Sequence, residues 1–154
     1  MKQVYEILDK VKDQFLANGI TKKVSFGDNY AFDNDKTTIM PIAHMNLVDT
    51  TFNGNVITFR IVVLCLDWVN KVKVVDDDDD FFGSDNLHDV LNTQFLAITK
   101  FVNSLERGPL YEDKLRLSAD ISPTAEMFNS IGDNQLAGWG VEVGIEIQND
   151  LSIC

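Results

Sequence analysis

The stretch "FNGNVITFRIVVLCLDWV", residues 52–69, decides how the chain folds. Its Asn-Gly pair is the strongest short signal for a β-hairpin turn. After the turn, one face of the strand is apolar throughout, and the other face becomes apolar over the second half. We therefore expect a long central strand, paired with the strand before it and covered on both sides over its far half. The first face carries Ile57, Phe59, Ile61, Val63 and Cys65, and the second carries Val62, Leu64, Leu66 and Trp68.

Helical and alternating patterns flank this hairpin on both sides. Residues 3–18 place apolar side chains at helical spacing, and residues 84–107 do so over a longer stretch, which predicts two amphipathic helices. The segment Thr124 to Ile131 is expected to form a short third helix. Strands are predicted from a short apolar run and from strict alternation, at residues 22–26, 111–121 and 138–150.

These elements predict an α+β fold in a single domain, residues 1–154. The expected architecture is an antiparallel sheet of about four to five strands, with the two amphipathic helices packed on one face. An acidic loop, residues 74–86, is inserted between the central strand and the second helix. The other face of the sheet should meet solvent or a partner because it carries charged side chains: Lys114, Arg116, Asp120, Glu142 and Glu146.

The charge of the chain disfavours several classes of binding protein. A formal net charge of -11 at pH 7 repels phosphate groups, which argues against a DNA clamp and against binding to an anionic membrane. The N-terminal residues lack the apolar centre of a signal peptide, and no apolar run reaches the length of a membrane span, so synthesis in the cytoplasm is expected. Two cysteines, Cys65 and Cys154, make no disulfide framework.

The sequence offers little for catalysis, and we expect no enzymatic activity. It lacks a G-x-S-x-G nucleophile elbow, a phosphate-binding P-loop and a G-x-G-x-x-G motif. Cys65 falls on the apolar face of a strand, where an inert thiol is expected because reactive thiols need an electropositive, partly exposed setting. His44 is expected to be structural, since a lone histidine makes no zinc site, and His88 should be solvated in the second helix.

The acidic loop contains the candidate metal ligands. A calcium loop that starts at Asp78 would place acidic residues at ligand positions one, three and twelve, which are Asp78, Asp80 and Asp89. The match is incomplete because Phe82 stands at position five and cannot bind a cation. Two interpretations stay open: a solvated loop of mutually repelling charges, and a monomeric calcium- or ligand-binding module. The run consists of Asp76, Asp77, Asp78, Asp79 and Asp80, followed by Phe81 and Phe82.

The order of elements resembles the tail terminator and tail-completion (neck, head–tail connector) proteins of tailed bacteriophages. A lead helix, "VYEILDKVKDQFLANGI", precedes a hairpin that ends in the long apolar strand "NVITFRIVVLCLDWV". A variable loop follows, then the helix "DNLHDVLNTQFLAITKFVNSL" and a closing strand, "LAGWGVEVGIEIQ". The resemblance covers roughly residues 1–150 and is one of pattern. The charged insert at residues 74–84 departs from it, at the loop where such proteins vary.

The resemblance implies a structural virion protein with no catalytic residues and no cofactor, apart from a divalent cation that the aspartates could attract. Members of these families form homo-oligomeric rings, commonly hexamers or multiples of them, that contact other neck, portal or tail proteins. DNA passes through the ring without specific binding, and no membrane is involved. Phe81 and Phe82 should be buried as anchors of the loop, either against the start of the second helix or, in a ring, against the neighbouring subunit. Groups that could face the channel are Asp76, Asp77, Asp78, Asp79, Asp80, Glu142 and Glu146.

Overall fold

The computed structural model describes residues 4–27, 39–69, 86–131 and 136–150. Within these ranges the chain forms two long helices, one short helix and six strands. The helices are α1, Val4–Leu16; α2, Leu87–Arg107; and α3, Pro109–Glu112. The strands are β1, Lys23–Phe26; β2, Ile42–Asn53; β3, Val56–Trp68; β4, Arg116–Leu117; β5, Thr124–Ile131; and β6, Leu136–Gln148.

All six strands belong to one sheet, and the α+β class predicted from the sequence is confirmed. The strand order is β1-β2-β3-β6-β4, and β5 also pairs with β6. Every pair is antiparallel except β1 with β2, which is parallel. The antiparallel prediction is therefore wrong for β1. A parallel pair needs a connection that returns the chain to the same end of the sheet, and local alternation does not encode that return.

The predicted hairpin joins the two central strands. Gly54 occupies the turn with a φ of 59°, a conformation that glycine adopts without steric cost. Beyond the turn, β3 pairs with β2 on one side and with β6 along its whole length on the other. Cys65 and Leu66 point to opposite faces of β3 and are both fully buried. The far half of the central strand is thus covered on both sides, as its sequence predicts.

The helix predicted at Thr124–Ile131 is wrong, because these residues form strand β5. Thr124 pairs with Glu142 and Phe128 with Gly138, so β5 takes the edge of β6 that β3 leaves open. Tertiary pairing of this kind overrides a weak local preference for helix. The segment therefore gives the sheet one strand more than the sequence predicts.

The strand predicted at residues 111–121 is also mostly wrong, since only Arg116–Leu117 pairs with β6. Pro109 instead starts the short helix α3, because proline at a first helical position loses no hydrogen bond. The Ser104 hydroxyl accepts a hydrogen bond from the Leu110 main-chain N–H at 3.2 Å and fixes this start. Lys114 then adopts a φ of 67° and leads the chain into β4.

Two groups of buried side chains lie on the two faces of the sheet. The larger core joins side chains of α1 and α2 to alternate residues of the sheet, and Phe15 packs on Phe101 with ring centroids 4.8 Å apart. The indole N–H of Trp139 donates to the Leu91 carbonyl at 2.8 Å and ties β6 to α2. The smaller core on the other face contains Ile42, Leu64, Leu66 and Leu136, with Met40, Trp68 and Phe128 packed against it.

Candidate functional site

The outer face of the sheet, opposite the larger core, carries most of the charged side chains of the strands. Arg60 on β3 lies between acidic groups on both neighbouring strands. Its Nε donates to Asp49 Oδ1 at 3.2 Å, and its Nη1 donates to Glu142 Oε1 at 3.4 Å. Hydrogen bonds to Asp49 are the main cause of a raised pKa for the Arg60 guanidinium, which stays fully charged. Both carboxylates therefore face a fixed positive charge.

Glu146 lies further along β6 on the same face and is half-buried. Its strand partner across the β4–β6 ladder is Arg116, and Lys114 lines the same groove of about 400 Å³. The Arg116 guanidinium lies 3.6 Å from the centroid of the Tyr111 ring and also donates to the Tyr111 carbonyl. Glu146 thus shares its groove with two basic residues, Arg116 and Lys114.

These contacts change the prediction for Glu142 and Glu146. Both side chains lie on the outer face, where alternation along β6 placed them. Each nevertheless has a cation as a neighbour, so the described part of this face carries charges of both signs. The strongest concentration of negative charge in the sequence remains the aspartate run, Asp76, Asp77, Asp78, Asp79 and Asp80, which lies outside the described residues.

Two shallow grooves cross this face near Arg60. One, of about 220 Å³, is lined by polar groups that include Asp49, Thr58 and Asp120. The other, of about 290 Å³, lies between β3, β6 and β5, and its lining includes Glu126 and Phe128. Small-molecule sites are usually larger and mostly apolar, with only a few convergent polar groups. The grooves offer polar surface for contact with a partner rather than an enclosed ligand site.

Of the three candidate cation ligands, only Asp89 lies within the described residues. Asp89 is exposed in the first turn of α2. Asp78 and Asp80 lie outside the described residues, as do Phe81 and Phe82, the predicted anchors of the loop. Among the described residues, no group of three histidine, cysteine, aspartate or glutamate side chains could hold a metal ion.

His44 has the surroundings of a structural histidine. It is buried on β2, and its two ring nitrogens lie 2.7 Å from Ser25 Oγ and 2.9 Å from the Gly27 carbonyl oxygen. The carbonyl can only accept, so Nε2 carries the hydrogen and Nδ1 accepts from the Ser25 hydroxyl. Burial lowers the pKa of His44, against the smaller effect of the Gly27 hydrogen bond. The neutral ring ties β1 to β2, as expected for a satisfied core histidine.

Cys65 is fully buried within the larger core. Burial raises the pKa of its thiol far above the usual range, because a charged thiolate loses its hydration inside the core. A nucleophilic role would require the opposite shift. The prediction that Cys65 is a buried core residue is therefore confirmed.

The sheet has a feature that pattern analysis of single strands missed. No described strand pairs with the outer edge of β1 or of β5, the strands at the two sides of the sheet. Phe26 on β1 is 55% exposed and Met127 on β5 is 56% exposed. The signal was present in the sequence as apolar residues in short segments, but only the topology shows that both segments are edges.

Comparison of the chain with protein-family models finds no match, and comparison with curated protein sequences finds none either. Among the helices of the described residues, none combines the length and the apolar character needed to cross a membrane. Within the described ranges, the surfaces that stand out are the charged outer face, the two strand edges and the exposed apolar side chains along them.

Proposed function

We propose that this chain is a structural virion protein that forms a homo-oligomeric ring at the head–tail junction or tail end of a tailed bacteriophage. The ring caps or joins the tail, contacts other neck, portal or tail proteins, and leaves a channel for DNA. The observation that carries the proposal is the order of elements along the chain. A lead helix, a long hairpin, a second helix and a long closing strand resemble the tail terminator and neck families.

The proposal includes the packing of both long helices on one face of the sheet. Ile7, Val11 and Phe15 of α1 share the larger core with Phe101 and Leu105 of α2. The same core takes in the alternate residues of β3 and β6, including Val63 and Val143. Helices confined to one face leave the charged outer face available for solvent, for a channel or for a neighbouring protein.

The net charge of the chain favours a ring through which DNA passes over a protein that binds DNA tightly. A net charge of -11 repels phosphates, and a ring multiplies that charge by its number of copies. The aspartate run is the group best suited to line the channel, because five adjacent carboxylates attract only counterions. Glu142 and Glu146 contribute less, since Arg60, Lys114 and Arg116 lie beside them.

The proposal is tested by imaging the purified full-length chain in negative stain and weighing its assemblies by mass photometry. The expected result is closed rings of uniform size that do not retain double-stranded DNA at physiological salt. A mixture with tails from a terminator-deficient phage should place the protein at one end of each tail. A chain that stays monomeric at high concentration and joins neither tails nor portal complexes would overturn the proposal.

A further inference from the structure

We propose that copies of this chain associate head-to-tail by pairing the edge of β1 in one copy with the edge of β5 in the next. This inference rests on the proposed ring, because it names the surfaces that would build it. Strand edges with unpaired main-chain groups pair readily with another chain, and proteins usually shield them. Here β1 forms one side of the described sheet and β5 shares the other with β4, and no described strand pairs with the outer edge of β1 or of β5.

The two edges lie at the same height across the sheet. Following the ladders from one side to the other, Val24 aligns with Ala43, Cys65, Trp139 and finally Met127. The same ladders bring Lys23 level with Phe128, Ser25 with Glu126, and Phe26 with Ala125. All four residues of β1 therefore have a counterpart in β5. A copy that continues the sheet sideways would meet the edge without a shift along the strands.

The strand directions also suit this contact. β1 is parallel to β2, and the three further pairs that lead to β5 are each antiparallel. β1 and β5 consequently run in opposite directions, so a sideways copy places them as an antiparallel pair. Gly27 donates its main-chain N–H to the Met45 carbonyl of β2, and Lys23 donates to the Pro41 carbonyl just before β2. By alternation, the main-chain groups of Val24 and Phe26 therefore turn outward.

The side chains at the two edges are complementary on both faces. On the helix-bearing face, the contact would bring Phe26 diagonally next to Met127, two apolar side chains that are more than half exposed. On the other face, Lys23 would lie diagonally next to Glu126, which is exposed. The contact between β1 and β5 would thus pair opposite charges on one face of the sheet and exposed apolar side chains on the other. The occupant that fits each edge is a second copy of this chain.

The symmetry of the contact follows from its two different edges. A patch that meets a different patch is heterologous, and heterologous contacts close into rings when the rotation per copy divides a full turn. Pairing of β1 with another β1 would instead give a two-fold dimer and no ring. A test must therefore separate contacts between unlike edges from contacts between like edges.

Cross-linking of mixed single-cysteine variants makes that separation, in a Cys154→Ser background where Cys65 is buried. Phe26→Cys and Met127→Cys chains are mixed and treated with a short bis-maleimide. The expected product is a dimer that contains one of each chain. Phe52→Cys is the matched control, because Phe52 is 73% exposed and lies far from the edge contact. Along β2 it is about 20 Å from the residues that pair with β1. It should not cross-link to Met127→Cys.

Charge reversal provides the second measurement. Lys23→Glu or Glu126→Lys alone should weaken association by about fivefold, and the two changes together should restore it. Rings that form without the mixed cross-link, or that ignore these changes, would overturn the edge contact and leave the proposed function standing. Cross-links between two Phe26→Cys chains would also overturn it. A chain that never assembles would overturn both.

Discussion

Gly138 on β6 lies so close to Cys65 on β3 that a Cβ at position 138 would stand 1.8 Å from the Cys65 carbonyl oxygen. The contact is with main chain, which cannot move aside as a flexible side chain would. We expect Gly138→Ala to lower the free energy of unfolding by about 3 kcal/mol or more. Urea denaturation followed by tryptophan fluorescence measures this loss.

The control for Gly138 is Gly54→Ala at the hairpin turn. In the described part of the chain, no atom outside Gly54 and its two chain neighbours lies within 4 Å of a Cβ there, so the positive φ of 59° is what opposes the change. We expect that variant to lose about 1 kcal/mol. Equal losses at the two positions would contradict the close approach of β3 and β6.

Gln94 and Ser104 are both buried polar residues of α2, and they should respond to substitution in opposite directions. Among the described residues, neither Nε2 nor Oε1 of Gln94 has a hydrogen-bond partner, although the side chain is fully buried. The Ser104 hydroxyl, in contrast, accepts from Leu110 N–H. We expect Gln94→Met to raise the free energy of unfolding by about 1–2 kcal/mol, because it removes an uncompensated desolvation cost at nearly constant volume.

Ser104→Ala is the matched variant and should lower the same free energy by about 1 kcal/mol. Thermal and urea unfolding of both variants give the comparison. A loss of stability in Gln94→Met would show that the amide has a partner in the native protein.

The stability of the protein should depend on the protonation of His44. Because burial lowers its folded pKa below the usual 6.5, the unfolded chain takes up this proton first as the pH falls. The stability that the neutral ring provides is therefore present above pH 6.5 and is lost as the pH falls below it, by at most about 1.4 kcal/mol per pH unit.

His44→Gln removes the proton-binding group and should remove this part of the pH dependence. We expect the free-energy advantage of the wild-type chain over the variant to shrink between pH 7.5 and pH 5.5. Urea titrations at each pH measure the difference, in which the common effect of the carboxylates cancels. A difference that stays constant over this range would contradict a neutral, buried His44.

The parts of the fold that short-range pattern determines were predictable. The Asn-Gly pair at residues 53 and 54 predicts the hairpin, and alternation predicts which side chains of β3 and β6 are buried. The strand at Thr124–Ile131 was not predictable, because it depends on an open edge of β6 rather than on its own pattern. The parallel pairing of β1 with β2 depends in the same way on a partner that is distant in the chain.

The same distinction between local pattern and distant partners applies to the candidate surfaces. Alternation alone places Glu142 and Glu146 on the outer face. Their cationic neighbours could not be predicted, since Arg60 is 82 residues away from Glu142 in the chain. The alignment of Lys23 with the row that contains Phe128 requires every intervening register of the sheet. Sequence pattern gives the face of a side chain, and only the assembled sheet gives its neighbour.

The aspartate run should be a source of repulsive charge and not a structural calcium site. Changing Asp76, Asp77, Asp78, Asp79 and Asp80 to asparagine removes five negative charges, so the net charge of -11 becomes -6. We expect this variant to fold and to melt at the wild-type temperature or slightly above it, because mutual repulsion is removed. The wild-type chain should melt at the same temperature in calcium and in chelator.

A specific calcium site would behave differently in the same measurement. A ligand at 100 times its dissociation constant stabilises the native state by about 2.7 kcal/mol, which for a chain of this size raises the melting temperature by roughly 5–10 °C. Asp78→Asn should abolish such a shift, whereas a lysine-to-glutamine change at exposed Lys12 should not. A calcium-dependent rise that disappears in Asp78→Asn would make the loop an ion site and would favour a calcium-binding module over a channel lining.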